Sequence, residues 1–281
     1  MKLIHCTEKN VAAAWGRLRE VRPLVFHVTN AVAVTLQANV CLSVGASPLM
    51  SQYPAEAEDL ADLAQGFLVN LGTPTDAAWE TVRRALTWAK RTGKCFTLLD
   101  PVGYGASRCR NESTDTLLRE HTFSIVKGNA GEISLLAGTG GATKGVDVLA
   151  AGNLEKGVLA LAREHYCVVC ATGEVDFMSD GEAIARVSGG SALLPGLSGS
   201  GCAAGTVVLS VVAACGDATL GTLTGLLAMG IASERAEKNC AGPGSFPATL
   251  IDQLSRLVPE DFQDSHSRWC ARSPSCGTGK A

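Results

Sequence analysis

Aromatic residues are scarce in this chain, at 5% of 281 positions, and charged residues make up only 18%. So little aromatic surface argues against a broad protein-binding face. The net charge is −3 and the sequence pI is about 6.0. No bulk basic field is present, which excludes generic nucleic-acid binding. The 11 cysteines are an odd number and too sparse for a disulfide scaffold. Long apolar runs are also lacking. The best candidate, Gly201–Cys215, falls short of the roughly 20 residues that a spanning helix needs, and Gly205, Thr206 and Ser210 interrupt it. Met1-Lys2-Leu3-Ile4-His5-Cys6 opens no apolar stretch of signal-peptide length. These absences lead to the expectation of a soluble cytoplasmic chain with reduced thiols and no membrane partner.

Hydrophobic residues reach 46%, and there are 31 glycines. The first figure rules out wholesale disorder, and the second suits tight loops around a small ligand. At roughly 100–200 residues per domain, the length allows one large domain. Residues 1–260 are read as that domain. Residues 261–281, with Cys270, Cys276 and the breaker Ser273-Pro274, are read as a disordered tail.

Short β-branched runs alternate with helical segments. Leu24–Val28, Phe67–Leu71, Phe96–Leu99, Phe123–Val126 and Val168–Ala171 read as strands. Ala31–Val44, Ala55–Leu63, Asp76–Lys90, Thr114–Glu120 and Leu154–His165 read as helices. The alternation predicts an α/β fold with a mostly parallel central sheet and helices on both faces. Asp180-Gly181 between Val175–Ser179 and Ala183–Val187 predicts a terminal hairpin. Gly201–Ala214 is apolar nearly all round, which predicts a buried helix. Ala218–Asn239 and Ala248–Leu257 read as the helices that follow.

Leu197-Ser198-Gly199-Ser200-Gly201-Cys202-Ala203-Ala204-Gly205 runs from a small-residue loop straight into that helix. Free N–H groups and the helix dipole make such a turn an anion site suited to phosphate. Cys202 stands in the first turn, where thiol pKa values are usually lowered. A plain glycine-rich turn with a small buried cysteine fits the loop equally well. Leu98-Leu99-Asp100-Pro101-Val102-Gly103-Tyr104-Gly105 ends an apolar strand in a carboxylate. Ligands of open α/β sheets bind at that edge, so Asp100 could reach a metal or polyphosphate, or simply cap the turn. In Lys127-Gly128-Asn129-Ala130-Gly131-Glu132, the cation could meet a phosphate and Glu132 could hold Mg²⁺ through water. The same residues also read as a helix start capped by Asn129, with Glu132 at its third position. His27-Val28-Thr29-Asn30 and Asn70-Leu71-Gly72-Thr73 leave two further strands. His27 reads as a core histidine, and Asn30 as a helix cap or a hydrogen-bonding partner for a heteroaromatic ligand.

Together these segments resemble the hydroxyethylthiazole kinase family of the ribokinase-like superfamily. The matching motifs are those above with Gly45-Ala46-Ser47-Pro48-Leu49-Met50, Thr172-Gly173 and Gly242-Pro243-Gly244-Ser245-Phe246. They cover roughly residues 10–257 in the family's order. Cys202 after the glycine loop is the sharpest mark, because most of the superfamily carries an aspartate base there. The resemblance implies transfer of the ATP γ-phosphoryl to the primary hydroxyl of 4-methyl-5-(2-hydroxyethyl)thiazole. It implies Cys202, Gly199 and Gly201 at the catalytic position, and Asn30, Met50 and Gly199 around the thiazole. It implies Lys127, Asn129 and Thr172 on ATP, with Asp100 and Glu132 organising Mg²⁺. Many bacterial relatives carry arginine where this chain has Lys127, which keeps the charge but not the bidentate fork. A homotrimer with thiazole sites between subunits is a further implication.

Two other motifs fail on physical grounds. The thiols of Cys167-Val168-Val169-Cys170 would face opposite sides of a strand, which argues against redox or zinc chemistry. Gly277-Thr278-Gly279-Lys280 lacks the first glycine and the helix of a P-loop.

Overall fold

The computed structural model describes residues 1–139 and 151–273. Six strands run parallel: β1 (Leu24–Val28), β2 (Ser47–Met50), β3 (Gly66–Asn70), β4 (Phe96–Asp100), β5 (Ile125–Asn129) and β6 (Val168–Thr172). β7 (Val175–Ser179), β8 (Ile184–Ser188) and β9 (Trp269–Arg272) add an antiparallel extension. They form one sheet in the order β2-β1-β3-β4-β5-β6-β7-β8-β9.

Helices cover both faces. One face carries α1 (Glu8–Val21), α2 (Val34–Ser43), α8 (Ser200–Cys215), α9 (Ala218–Asn239) and α10 (Phe246–Arg256). The other carries α3 (Ala57–Leu63), α4 (Asp76–Thr92), α5 (Arg108–Glu120), α6 (Ala130–Leu136) and α7 (Ala151–His165). Strand side chains divide between the two with period 2. Leu68, Leu98 and Cys170 enter the first core; Phe67, Val69, Leu99 and Val169 enter the second. Because both faces are buried, the strands read as unbroken apolar runs. Cys167 and Cys170 fall into opposite cores, as their strand placement requires.

α8 is buried along almost its whole length. Its small first turns, Gly201 to Gly205, let it lie close over β3, β4 and β5. Among the described residues no helix is long and apolar enough to cross a membrane.

Several elements escaped the sequence reading. α1 and the short edge strand β2 were not expected. β2 contains Pro48, which an edge strand tolerates because one side of its ladder is free. α5 starts at Arg108, capped by Ser107, rather than at Thr114, because its polar first half shows no apolar periodicity. The hairpin forms at Asp180-Gly181, but Ser179 pairs with Ile184, so the loop spans 180–183.

The expected disorder of residues 261–281 is corrected as far as Ser273. Phe262 is fully buried against Trp15, with ring centroids 5.5 Å apart. Trp269–Arg272 pairs with β8, whose open edge offers unpaired backbone groups. Arg268 clasps Glu234 with two hydrogen bonds of 2.7 and 3.0 Å. Residues 274–281, with Cys276 and the P-loop mimic, lie outside the described residues.

Candidate active site

The C-terminal ends of the parallel strands meet the N-terminus of α8. Asn30 follows β1, Asn70 ends β3, Asp100 ends β4, Lys127 lies in β5 and Thr172 ends β6. Gly199 caps α8 in the left-handed region at φ 83, where side chains are strained. A Cβ there would also sit 3.0 Å from Ala33 Cβ. Gly199 accepts from Ala203 N at 2.8 Å, and Ser200 N donates to Leu197 O at 3.1 Å. The Gly201 and Cys202 N–H groups have no protein acceptor among the described residues. Of the loop's helix-starting donors, these two remain for an anion, while that of Ser200 is spent on the turn.

The Lys127 side chain runs beneath this turn. Its Nζ lies 3.4 Å from where a Gly201 Cβ would stand, and its Cδ 3.6 Å from that of Gly205. Nζ is 3.3 Å from Asp100 Oδ2. A cation at a helix N-terminus opposes the helix dipole, so Asp100 and an incoming anion both relieve it. Burial works against the Lys127 charge, but Asp100, Cys202, Cys170 and Glu132 outweigh it and raise its pKa. Burial raises the Asp100 pKa, and Lys127 and Asn70 only partly offset that.

Glu132 ties two loops together. Its Oε2 accepts from Asn129 N at 2.8 Å, and Asn129 Oδ1 accepts from Glu132 N at 2.9 Å, which completes a capping box. Its Oε1 accepts from Gly103 N at 2.8 Å. Arg110 pins the same region by donating to Leu71 O and Val102 O, both at 2.7 Å.

Cys202 departs from the expectation of a lowered thiol pKa. Burial and then Asp100 push it up, against Lys127 and two amide donors that pull it down. At the start of this helix, loss of solvent outweighs the dipole, so the thiol stays protonated at neutral pH. The donors are Asn70 Nδ2 at 3.2 Å and Asn30 Nδ2 at 3.5 Å. His27 is not free to activate the thiol. It is fully buried, with Nδ1 2.9 Å from Val25 O and Nε2 3.2 Å from Thr206 Oγ1. Burial pushes its pKa down to about 4. Cys202 and His27 therefore form no nucleophilic pair.

The structure gathers Asn30, Asp100, Lys127, Gly199, Gly201 and Cys202 at one end of the sheet. Thr172 lies nearby, in register with Asn129, and donates to Gly128 O at 3.3 Å. Asn129 itself is exposed and serves as a helix cap. Met50 lies half-buried on the edge strand, in register with His27 and outside the Asn30–Asn70–Cys202 contacts. Sequence reasoning named the Asn70-Leu71-Gly72-Thr73 motif but gave Asn70 no role in the site, and it did not single out Gln37, Arg110 or Asp176. Gln37 Nε2 holds Cys202 O at 3.1 Å. Asp176 Oδ1 accepts from Gly173 N at 2.9 Å, and burial pushes its pKa up to about 6. A polar residue at the end of an apolar strand was the available signal for Asn70.

The hydroxyethylthiazole kinase family model matches residues 16–260. The chain belongs to the hydroxyethylthiazole kinase family. It is 39% identical over 246 residues to the hydroxyethylthiazole kinase of Thermoanaerobacter pseudethanolicus, covering 86% of this chain and 93% of that one. The solved hydroxyethylthiazole kinase from Pyrococcus horikoshii OT3 matches with a TM-score of 0.84 and 32% identity, covering 94% of this chain and 98% of that one. A ribokinase-like superfamily protein from Enterococcus faecalis matches at TM-score 0.61 with 8% identity, over 90% of this chain and 96% of that one. That likeness concerns the fold alone. Members of the hydroxyethylthiazole kinase family are phosphotransferases, and the chain is an enzyme of this kind with a ribokinase-like fold.

Proposed function

We propose that this enzyme transfers the γ-phosphoryl group of ATP to the primary hydroxyl of 4-methyl-5-(2-hydroxyethyl)thiazole, giving the thiazole phosphate used in thiamine biosynthesis and salvage. The main support is one juxtaposition: free N–H groups of Gly201 and Cys202, the buried Lys127 ammonium, and the Cys202 thiol all at one strand edge. Phosphoryl transfer demands little covalent chemistry from a protein; positioning and charge stabilisation suffice. The Gly201 and Cys202 N–H groups receive the transferring phosphoryl, and Lys127, with Asn129 and Thr172, holds the nucleotide. Asn30, Met50 and Gly199 line the thiazole pocket. Cys202 orients the hydroxyl as a neutral thiol rather than deprotonating it.

Among the described residues no group of three or more His, Cys, Asp or Glu side chains could hold a metal by itself. Two carboxylates of hard oxygen donors nevertheless fit Mg²⁺, which keeps most of its waters and leans on phosphate oxygens. Asn70 and Lys127 both bind Asp100 through Oδ2, which leaves Oδ1 as a donor. Asp100 and Glu132 would hold the ion, which supplies charge neutralisation for the triphosphate.

The assembly we propose is a cytoplasmic homotrimer with thiazole sites between subunits. Exposed Val32 (65%) and Tyr53 (66%), two residues after Asn30 and three after Met50, support an apolar face for the neighbouring copy. Sedimentation at three times the 29.1 kDa chain mass is the expected result, and a monomer would overturn it. The activity is tested by phosphorus NMR of a reaction holding Mg·ATP and the thiazole alcohol. A new phosphomonoester on the thiazole is expected. Inorganic phosphate alone would reduce the activity to ATP hydrolysis.

A further inference from the structure

The orientation of two amide side chains beside Cys202 is fixed by backbone donors. Asn30 Oδ1 accepts from Val32 N at 3.1 Å and Ala33 N at 2.9 Å. Its Nδ2 must therefore face the other way, and it donates to Asn70 Oδ1 at 2.8 Å and to Cys202 Sγ at 3.5 Å. Asn70 Oδ1 also accepts from Gly72 N at 3.0 Å. Asn70 Nδ2 in turn faces Cys202 Sγ at 3.2 Å and Asp100 Oδ2 at 3.3 Å. Each amide uses two donors and two acceptors, which is its full capacity. Reversing either one would set N–H against N–H.

The sulfur thus meets two N–H donors and no free acceptor from this pair. Its own S–H makes no hydrogen bond among the described residues. The close packing leaves little play: a Cβ on Gly72 would fall 2.7 Å from Asn30 Cβ. Asn30 and Asn70 are each only 4% exposed.

We propose that Asn70 is a positioning residue for phosphoryl transfer, a claim that rests on the kinase reading above. It holds the Cys202 sulfur as an acceptor, so that the S–H is turned out of the amide pair to meet the hydroxyl oxygen of the substrate. The same amide links the sulfur to the Asp100–Lys127 pair, so the alcohol and the phosphate-binding charges share one rigid frame.

The test is a double-mutant cycle in the full-length enzyme, with Mg·ATP and hydroxyethylthiazole. Asn70→Ser retains a hydroxyl that can serve Gly72 N, as in an ST turn, but no longer reaches the sulfur. It is expected to lower kcat about tenfold while the KM for ATP changes less than about twofold. In a Cys202→Ala background the same substitution should cost less than about threefold, because the sulfur through which Asn70 acts is gone. In Cys202→Ser, which keeps an acceptor for both amides, the loss should return to near the tenfold level. Asn70→Thr, which keeps the same hydroxyl acceptor for Gly72 N and likewise cannot reach the sulfur, guards against misfolding and should behave like Asn70→Ser. If Cys202→Ala turns over too slowly to measure, the same cycle is read in the Kd for hydroxyethylthiazole. Equal losses in the wild-type and Cys202→Ala backgrounds would overturn the proposal and leave the kinase reading intact. No thiazole turnover by the wild type would overturn both.

Discussion

Lys127 Nζ lies 3.3 Å from Asp100 Oδ2, with the two side chains 3% and 2% exposed. The pair joins β5 to β4 directly beneath the first turn of α8. Breaking a buried pair strands a charge at a cost of about 3–5 kcal/mol, whereas removing both charges can be nearly neutral. Lys127→Met is therefore expected to lose stability on that scale in urea unfolding, and turnover by more than about 100-fold. The double variant Lys127→Met, Asp100→Asn should recover most of the stability and none of the turnover. Equal stability loss in the single and double variants would contradict an energetic pairing.

His27 makes stability depend on pH. Its folded pKa is about 4 against an ordinary value of 6.5. Between those values the unfolded chain binds more protons, so stability rises with pH there. The contribution is complete above 6.5 and is lost as the pH falls towards 4, by about 3 kcal/mol in all. A His27→Gln variant should show a shallower acid limb than the wild type in unfolding midpoints measured from pH 7 to pH 4. Parallel limbs would show that His27 is not the titrating group.

Glu132→Gln should lower turnover strongly, by about tenfold or more, and cost about 1 kcal/mol of stability. Gly103 N and Asn129 N bind different oxygens of the carboxylate, so in an amide one of them would face an NH2 group instead of an acceptor. Turnover should fall together with a raised requirement for Mg²⁺. A wild-type rate and Mg²⁺ dependence would remove Glu132 from the phosphate site.

Deleting residues 265–281 is expected to destabilise the fold by about 2–4 kcal/mol. The deletion removes the β9 ladder, the buried Ser265 and the Arg268 clasp on Glu234. Glu234 also accepts from Gly190 N at 3.0 Å, so its loop loses support as well. Thermal melting of the truncated chain checks this, and an unchanged midpoint would contradict it.

Much of the central layer was legible in the sequence, because a strand buried on both faces must be apolar throughout. β1 and α9 have the limits their patterns predicted, and Asn129 and Glu132 form the capping box their spacing announced. β9 was not legible. Trp269-Cys270-Ala271-Arg272 has no strong alternation, and its pairing depends on the open edge of β8, a long-range feature. The Cys202 thiol misled for a similar reason. Helix position can be read locally, but the burial that raises its pKa comes from β1, β3 and β4 folding over it. Asn70 was visible as the first residue of a motif that follows a strand; its link between Cys202 and Asp100 exists only in three dimensions.

The most direct measurement is steady-state ADP release with Mg·ATP, run with hydroxyethylthiazole, with hydroxymethylpyrimidine and with no acceptor. Release is expected to depend on the thiazole alcohol and to stay at background in the other two. Release with the pyrimidine instead, or equal release in all three, would contradict it.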